Sequence, residues 1–222
     1  MKHLYCLILV FALLFCGCSK HQYLTFTSDL PQTNSNIYYS ESDSLKLEYR
    51  FIAPSSIAVT ILNKMPAPIM INWVESSMTL NNERNAMFGN DLIFKDLDEY
   101  LNTATDTTFI GFYGTVKGGT NQTFLPPKGT VSSLSKHIVI PHNPQVLNGL
   151  KAEKSNHDNA KVKKYTFNKP GAYARLIFSI QFETTAGTSF TQSDNFWVSQ
   201  VLETTNGELD LDKNQLRQEK SK

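Results

Sequence analysis

Residues 172–182 read Ala-Tyr-Ala-Arg-Leu-Ile-Phe-Ser-Ile-Gln-Phe. Ala172, Ala174, Leu176, Phe178, Ile180 and Phe182 fall on one side of an extended chain, because successive side chains of a strand point to opposite faces. Tyr173, Arg175, Ile177, Ser179 and Gln181 fall on the other. Tyr173 and Ile177 make the second face partly apolar too, which predicts a central strand covered on both sides. Val162 to Phe167 reads as its neighbour, and Phe196 to Leu202 as the last strand of the chain.

The same period recurs upstream. Leu45, Leu47, Tyr49 and Phe51 alternate with Lys46, Glu48 and Arg50. Ile57, Val59 and Ile61 alternate up to the Asn63-Lys64-Met65-Pro66 break, Ile69, Ile71 and Trp73 make a third strand, and Met78 and Leu80 begin a fourth. Short strands at roughly ten-residue spacing, separated by turn residues, predict an antiparallel sandwich. The fold class is therefore all-β, an immunoglobulin-like antiparallel β-sandwich with insertions. Such a domain usually holds ~100 residues, so the extra length is assigned to insertions or to paired sandwich halves. Residues 83–106 have mixed periodicity, and a short helix and an insertion both fit them. Phe109 to Gly114 reads as a strand that bends at its glycines. Phe124-Leu125-Pro126-Pro127-Lys128-Gly129 is a strand end running into a rigid turn, and His137 to Ile140 is β-rich. Pro144 to Ala160 is polar and reads as an exposed loop.

The amino end carries an address. Lys2 and His3 precede twelve apolar residues, Leu4 to Phe15, and then Cys16-Gly17-Cys18 leads into polar sequence. A bilayer-spanning helix needs ~20 apolar residues, so this run fits the core of a secretory signal instead. Phe15-Cys16-Gly17-Cys18 resembles a bacterial lipobox, with Phe15 where Leu is usual and Cys16 where Ala or Ser is usual. On that reading the Cys18 thiol takes a diacylglyceryl group as a thioether, and fatty chains such as palmitate hold the protein on a membrane. The alternative is an ordinary cleaved signal with no lipid. The expected division is 1–17 signal peptide, 18–44 lipid-anchored N-terminus and linker, in which Tyr23, Leu24 and Phe26 fit a short first strand and Ser28 to Ser44 reads as spacer, 45–203 β-sandwich domain and 204–222 charged tail. The tail is expected to carry one helical turn around Leu209 to Leu216 or to stay disordered.

Removing residues 1–17 from the 222 leaves 205, with 20 basic and 20 acidic side chains. No basic stripe stands out, which argues against a nucleic-acid partner. All three cysteines (Cys6, Cys16 and Cys18) lie in the export segment. The folded part after Cys18 therefore has no disulfide, no cysteine zinc site and no cysteine nucleophile. His137, His142 and His157 lie close in sequence but show no metal-ligand spacing, and read as surface or turn residues. Ser76-Ser77 lacks the Gly-x-Ser-x-Gly presentation of a nucleophile, so turn satisfaction is the better reading, with Trp73 as a core residue. Asp91, Asp96, Asp98 and Glu99, and again Glu208, Asp210 and Asp212, match no calcium loop and read as solvated edges. Lys117-Gly118-Gly119-Thr120 lacks the spacing of a phosphate loop. No cofactor or metal is implied.

The stretch from Ile57 through Asn63-Lys64 and Ile69-Met70-Ile71-Asn72-Trp73 to Ser76-Ser77 resembles uncharacterised exported lipoproteins of Bacteroidetes-type bacteria. Pro126-Pro127-Lys128 and Asp194-Asn195-Phe196-Trp197-Val198 resemble the same group. The resemblance covers roughly Leu45–Leu80 and the last strands. It implies an exported sandwich and no transferable activity. Asp43-Ser44-Leu45 and Asp106-Thr107-Thr108 fit the loose pattern for O-glycosylation in such bacteria, marking Ser44 and Thr107. The expected function is a non-enzymatic binding or display module of the bacterial cell envelope. It is held in the outer membrane by its lipid, faces the periplasm or the surface, and has a protein or glycan partner. The alternatives are a secreted carbohydrate-active hydrolase with carboxylates from distant loops, and a structural component of envelope assembly.

Overall fold

A computed structural model describes residues 21–33, 37–52, 56–87, 91–93, 115–117, 122–133, 136–138, 140, 143–157, 160–204, 209 and 215–219. Among these, antiparallel strands form two sheets, one of nine strands and one of seven. The two layers pack as a β-sandwich around a shared core.

The first sheet is built on β14 (Arg175–Thr184) and β15 (Ser189–Thr204). The alternation seen in the sequence holds: Leu176, Phe178, Ile180 and Phe182 are buried, and Ile177, Ser179 and Gln181 are half-covered. β14 is central, paired with β15 on one side and β5 (Ile69–Leu80) on the other. The strand starts at Arg175 rather than Ala172; a turn precedes it, with Gly171 at a positive φ of 75° and the Ala172 N–H donating to the Lys169 carbonyl at 3.2 Å. β13 (Ala160–Thr166), expected beside β14, pairs instead with β15. β13 and β14 run collinearly along one side of β15, interrupted by the turn around Lys169–Gly171.

Beyond β13 lies β12 (Glu153–His157), and α1 (Pro144–Asn148) precedes it. The region read as a loop thus holds a short helix and a hairpin. Asn143 caps the helix, its Oδ1 accepting from the Val146 N–H at 3.3 Å, and Leu147 is buried. The other partners of β5 are β6 (Glu83–Ala86) and β9 (Gln122–Leu125).

The second sheet contains β2 (Tyr38–Glu41), β3 (Leu45–Ile52), β4 (Ser56–Asn63), β7 (Asp91–Ile93), β8 (Thr115–Lys117), β10 (Thr130–Ser133) and β11 (Lys136–His137). Leu45, Leu47, Tyr49 and Phe51 of β3 turn inward, as their period requires. Their rings meet those of the first sheet: Tyr49 lies 5.0 Å from Phe196 and 5.2 Å from Phe178, and Phe51 lies 5.6 Å from Phe196. The ambiguous stretch 83–106 contributes β6 and β7. Its residues 88–90 and 94–106, like Phe109 to Gly114, lie outside the described residues.

Two corrections concern the chain ends. In the segment 18–44 the short first strand expected at Tyr23, Leu24 and Phe26 is β1 (His21–Thr27), paired with β15, and the stretch expected to be spacer supplies β2. Tyr23, Leu24 and Phe26 are fully buried. Burial on both faces leaves these residues without alternation, and it is their apolar content that marks the strand. The charged tail supplies β16 (Gln215–Glu219), paired with the other side of β1. Ladder hydrogen bonds come from the backbone, so a polar sequence can complete a sheet wherever a border is open. Leu209 joins Tyr23, Val162 and Leu202 in a separate small apolar cluster. The Leu209 N–H donates to the Tyr23 hydroxyl at 2.8 Å.

Candidate functional site

Residues expected to form two strands, Ile69–Trp73 and Met78–Leu80, form the single strand β5, broken by a bulge. Ser179 pairs with Ser77 but Gln181 pairs with Asn72, so four β5 residues (Trp73 to Ser76) stand opposite Ile180 alone. An insertion of this kind leaves ladder groups without strand partners. Ser76 restores them. Its hydroxyl donates to the Asn72 carbonyl at 2.6 Å and accepts from the Gln181 N–H at 2.9 Å. The Asn72 Oδ1 accepts from the Glu75 N–H at 3.2 Å. Ser76 therefore satisfies backbone groups, as read from the sequence, though within a strand rather than at its start.

Trp73 is buried in the core, and its Nε1–H donates to Thr123 Oγ1 of β9 at 2.8 Å. The residue after it turns outward: Val74 is 65% exposed. On β9, Thr123 and Leu125 face inward while Phe124 is 56% exposed. Phe124 sits directly opposite half-buried Met70. β9 has β5 as its strand partner among the described residues, so it borders the first sheet there. Val74 lies four residues along β5 from Met70, about 13 Å at ~3.3 Å per step. Both exposed side chains fit within one protein-sized footprint. Sequence reasoning passed over this pair. The signal was the outward position of Phe124 in the Gln122-Thr123-Phe124-Leu125 alternation.

The same end of the sandwich is pinned by Asn63. It is fully buried; its Nδ2 donates to the carbonyls of Ala67 (2.9 Å), Pro126 (3.0 Å) and Leu125 (3.3 Å). Its Oδ1 accepts from the Met65 N–H at 3.0 Å. The Gly129 N–H closes the neighbouring turn onto the Pro126 carbonyl. A Cβ on Gly129 would meet the Pro126 ring at 2.6 Å, so this turn needs glycine for space.

A polar cluster crosses the core. Tyr49 donates its hydroxyl to Asp194 Oδ2 at 2.7 Å, and Gln192 Nε2 lies 3.1 Å from Asp194 Oδ1 and 2.8 Å from Ser40 Oγ. Asp194 is 4% exposed. Burial, reinforced by the adjacent carboxylate, raises the Tyr49 phenol well above its ordinary range. The phenol therefore stays a donor and joins the two sheets.

Of the residues singled out in the sequence, Cys18, Thr107 and His142 lie outside the described residues, as do Asp96, Asp98, Glu99, Glu208, Asp210, Asp212 and Gly118 to Thr120. Ser44 is half-buried in the β2–β3 turn, where its carbonyl accepts from the Lys64 N–H at 2.8 Å. His137 belongs to the second sheet and His157 to the first. No group of three or more metal-ligating side chains occurs among the described residues. Asn63, Trp73, Ser76 and Asp194, four residues of the quoted motifs, each hold together two parts of the fold. Comparison with protein-family models, with curated proteins and with solved structures gives no match for this chain.

Proposed function

We propose that this chain is a lipid-anchored, non-enzymatic envelope protein that presents border strand β9 to a protein partner. The observation carrying this reading is the placement of Val74 and Phe124, two exposed large apolar residues on one border of the first sheet. Solvent-exposed apolar groups on a border strand mark interaction surfaces. Phe124, Met70, Glu183 and Ser189 lie in one row across the sheet, at the start of β15, while His21 pairs with Thr204 at its end. β15 has 16 residues, about 50 Å of strand. The apolar pair thus stands at the end of the sheet away from the tethered amino terminus. A protein partner is favoured over a glycan because, among the described residues, the outward aromatics form no row: Trp197 lies opposite Arg175, eight residues along β14 from Glu183.

The lipobox-like Phe15-Cys16-Gly17-Cys18 and the resemblance to exported lipoproteins of Bacteroidetes-type bacteria support the envelope location. The two antiparallel layers support the immunoglobulin-like type, with the additional strands as its insertions. O-glycosylation at Ser44 and Thr107 belongs to the same proposal, and intact mass of the mature chain reports it. Cross-linking in intact cells tests the function. The wild type is expected to give a discrete protein adduct that Phe124→Asp abolishes, with Cys18 still lipidated. An adduct indifferent to Phe124→Asp and Val74→Asp would remove the proposed surface. Cys18→Ala is expected to shift the protein into the soluble fraction, and continued membrane residence would remove the lipid tether.

A further inference from the structure

The pairing registers place a basic hairpin beside the tether. Ser155, Val162, Thr204, His21 and Glu219 form one continuous row across β12, β13, β15, β1 and β16. Cys18 precedes His21 by three residues, so its Cα lies within about 11 Å of that row by covalent reach alone. His157 and Ala160, the last pair of the β12–β13 ladder, lie beyond that row at the same end of the sheet. β13 lies two strand spacings from β1, about 10 Å. Residues 151–166 hold five lysines against Glu153 and Asp158, in a chain whose overall balance is close to neutral.

The lysines are ordered by the hairpin. Lys154 sits directly opposite Lys163, and Lys161 lies two residues from Lys163 on the same face. All three are exposed, and none forms an ion pair among the described residues. Like charges directly opposite each other destabilise a strand pair. Glu203, across from Lys163, is engaged with Gln22 and with the Tyr165 hydroxyl. Lys20 immediately precedes His21 of the row in sequence, and Lys220 immediately follows Glu219.

We infer that the β12–β13 hairpin rests on the membrane surface, with Lys154, Lys161 and Lys163 bound to the anionic head groups of the bilayer that holds the Cys18 lipid. This rests on the lipid-tether reading of Cys18. Basic residues within a Debye length of an anionic leaflet, about 10 Å, are drawn to it, and a basic patch reinforces a lipid anchor. The contact would fix the direction in which the domain stands and turn the Phe124 end outward. The competing role for lysines here is to block strand addition at β12, which requires no membrane.

The test uses the mature full chain reconstituted into vesicles of phosphatidylcholine alone or mixed with phosphatidylglycerol. Amine-reactive labelling is read at each lysine by mass spectrometry. At low salt, labelling of Lys154, Lys161 and Lys163 is expected to fall several-fold in the anionic vesicles and to recover at high salt. Lys64 and Lys128, at the far end, stay labelled. Lys151 serves as reporter in the K154Q/K161Q/K163Q variant, which loses any protection there. Equal labelling in both vesicle types, or protection of Lys64 and Lys128 instead, overturns the inference and leaves the edge-blocking role. The intact mass reports Cys18 independently: an unmodified Cys18 overturns the tether, whereas unchanged labelling on a lipidated chain overturns the hairpin contact alone.

Discussion

Tyr49→Phe isolates one hydroxyl at the centre of the sandwich. The ring contacts with Phe178 and Phe196 remain, and only the donor to Asp194 Oδ2 is lost. Gln192 continues to serve the other carboxylate oxygen. A hydrogen bond to a charged group contributes about 1.5–3 kcal/mol, and a buried carboxylate deprived of a donor falls at the upper end. The expected destabilisation near neutral pH is therefore about 2–3 kcal/mol. The variant also has a pH signature. The folded-state pKa of the phenol is raised, so its contribution is complete below the unfolded value of about 10. Above that pH the unfolded chain loses a proton that the folded chain retains, and stability falls by up to about 1.4 kcal/mol per pH unit. Denaturant unfolding of wild type and variant from pH 7 to 11 measures both effects. The wild type should lose stability more steeply above pH 10 than Tyr49→Phe. Tyr165 and Tyr173, whose phenols are also raised, chiefly by burial, leave a residual slope in the variant. Equal alkaline slopes, or a neutral-pH difference below about 0.5 kcal/mol, would refute the account of this pair; the latter is the size of an ordinary surface substitution.

Three further substitutions probe the frame around the exposed apolar pair and the chain ends. Asn63→Leu removes the amide that binds Ala67, Leu125, Pro126 and Met65. At about 1 kcal/mol per bond it should cost about 3–4 kcal/mol in denaturant unfolding. Ser76→Ala leaves the Gln181 N–H without its acceptor and should cost about 1–3 kcal/mol, with faster amide exchange at Gln181. Leu209→Ala opens the cluster with Tyr23, Val162 and Leu202 and should cost about 2 kcal/mol, with β16 amides exchanging faster than those of β14.

Period-two patterning was readable wherever one face of a strand is buried, as in β3, β4 and β14. It failed where burial is two-sided or absent. β1 hides Tyr23 and Leu24 on opposite faces, so its strand is legible from the apolar content of Tyr23, Leu24 and Phe26 and not from alternation. β12 and β16 join the sheet through backbone bonds that polar residues make as readily as apolar ones. The β5 bulge was read as a strand end, because Val74-Glu75-Ser76 breaks the period and only the partner strand shows that pairing resumes at Ser77. The site was legible only in pieces. Trp73 and Ser76 could be assigned structural duties from residue type, whereas the prominence of Val74 and Phe124 depends on which border β9 occupies. The Tyr49–Asp194 bond joins residues 145 apart, a distance over which local pattern carries no information.

The interior position of β1 bears on how an anchored domain carries load. The proposed tether at Cys18 would load the start of β1, and a pull along that strand differs from one across it. A border strand pulled across its axis peels one hydrogen bond at a time. β1 is instead held between β15, over the pairs from His21–Thr204 to Thr27–Trp197, and β16, over those from His21–Glu219 to Thr25–Gln215. An axial pull must shear both ladders together and withdraw Tyr23, Leu24 and Phe26 from full burial. β16 is then what turns β1 from a border into an interior strand. Its loss would weaken attachment at the opposite end of the same chain without touching the core that supports Phe124.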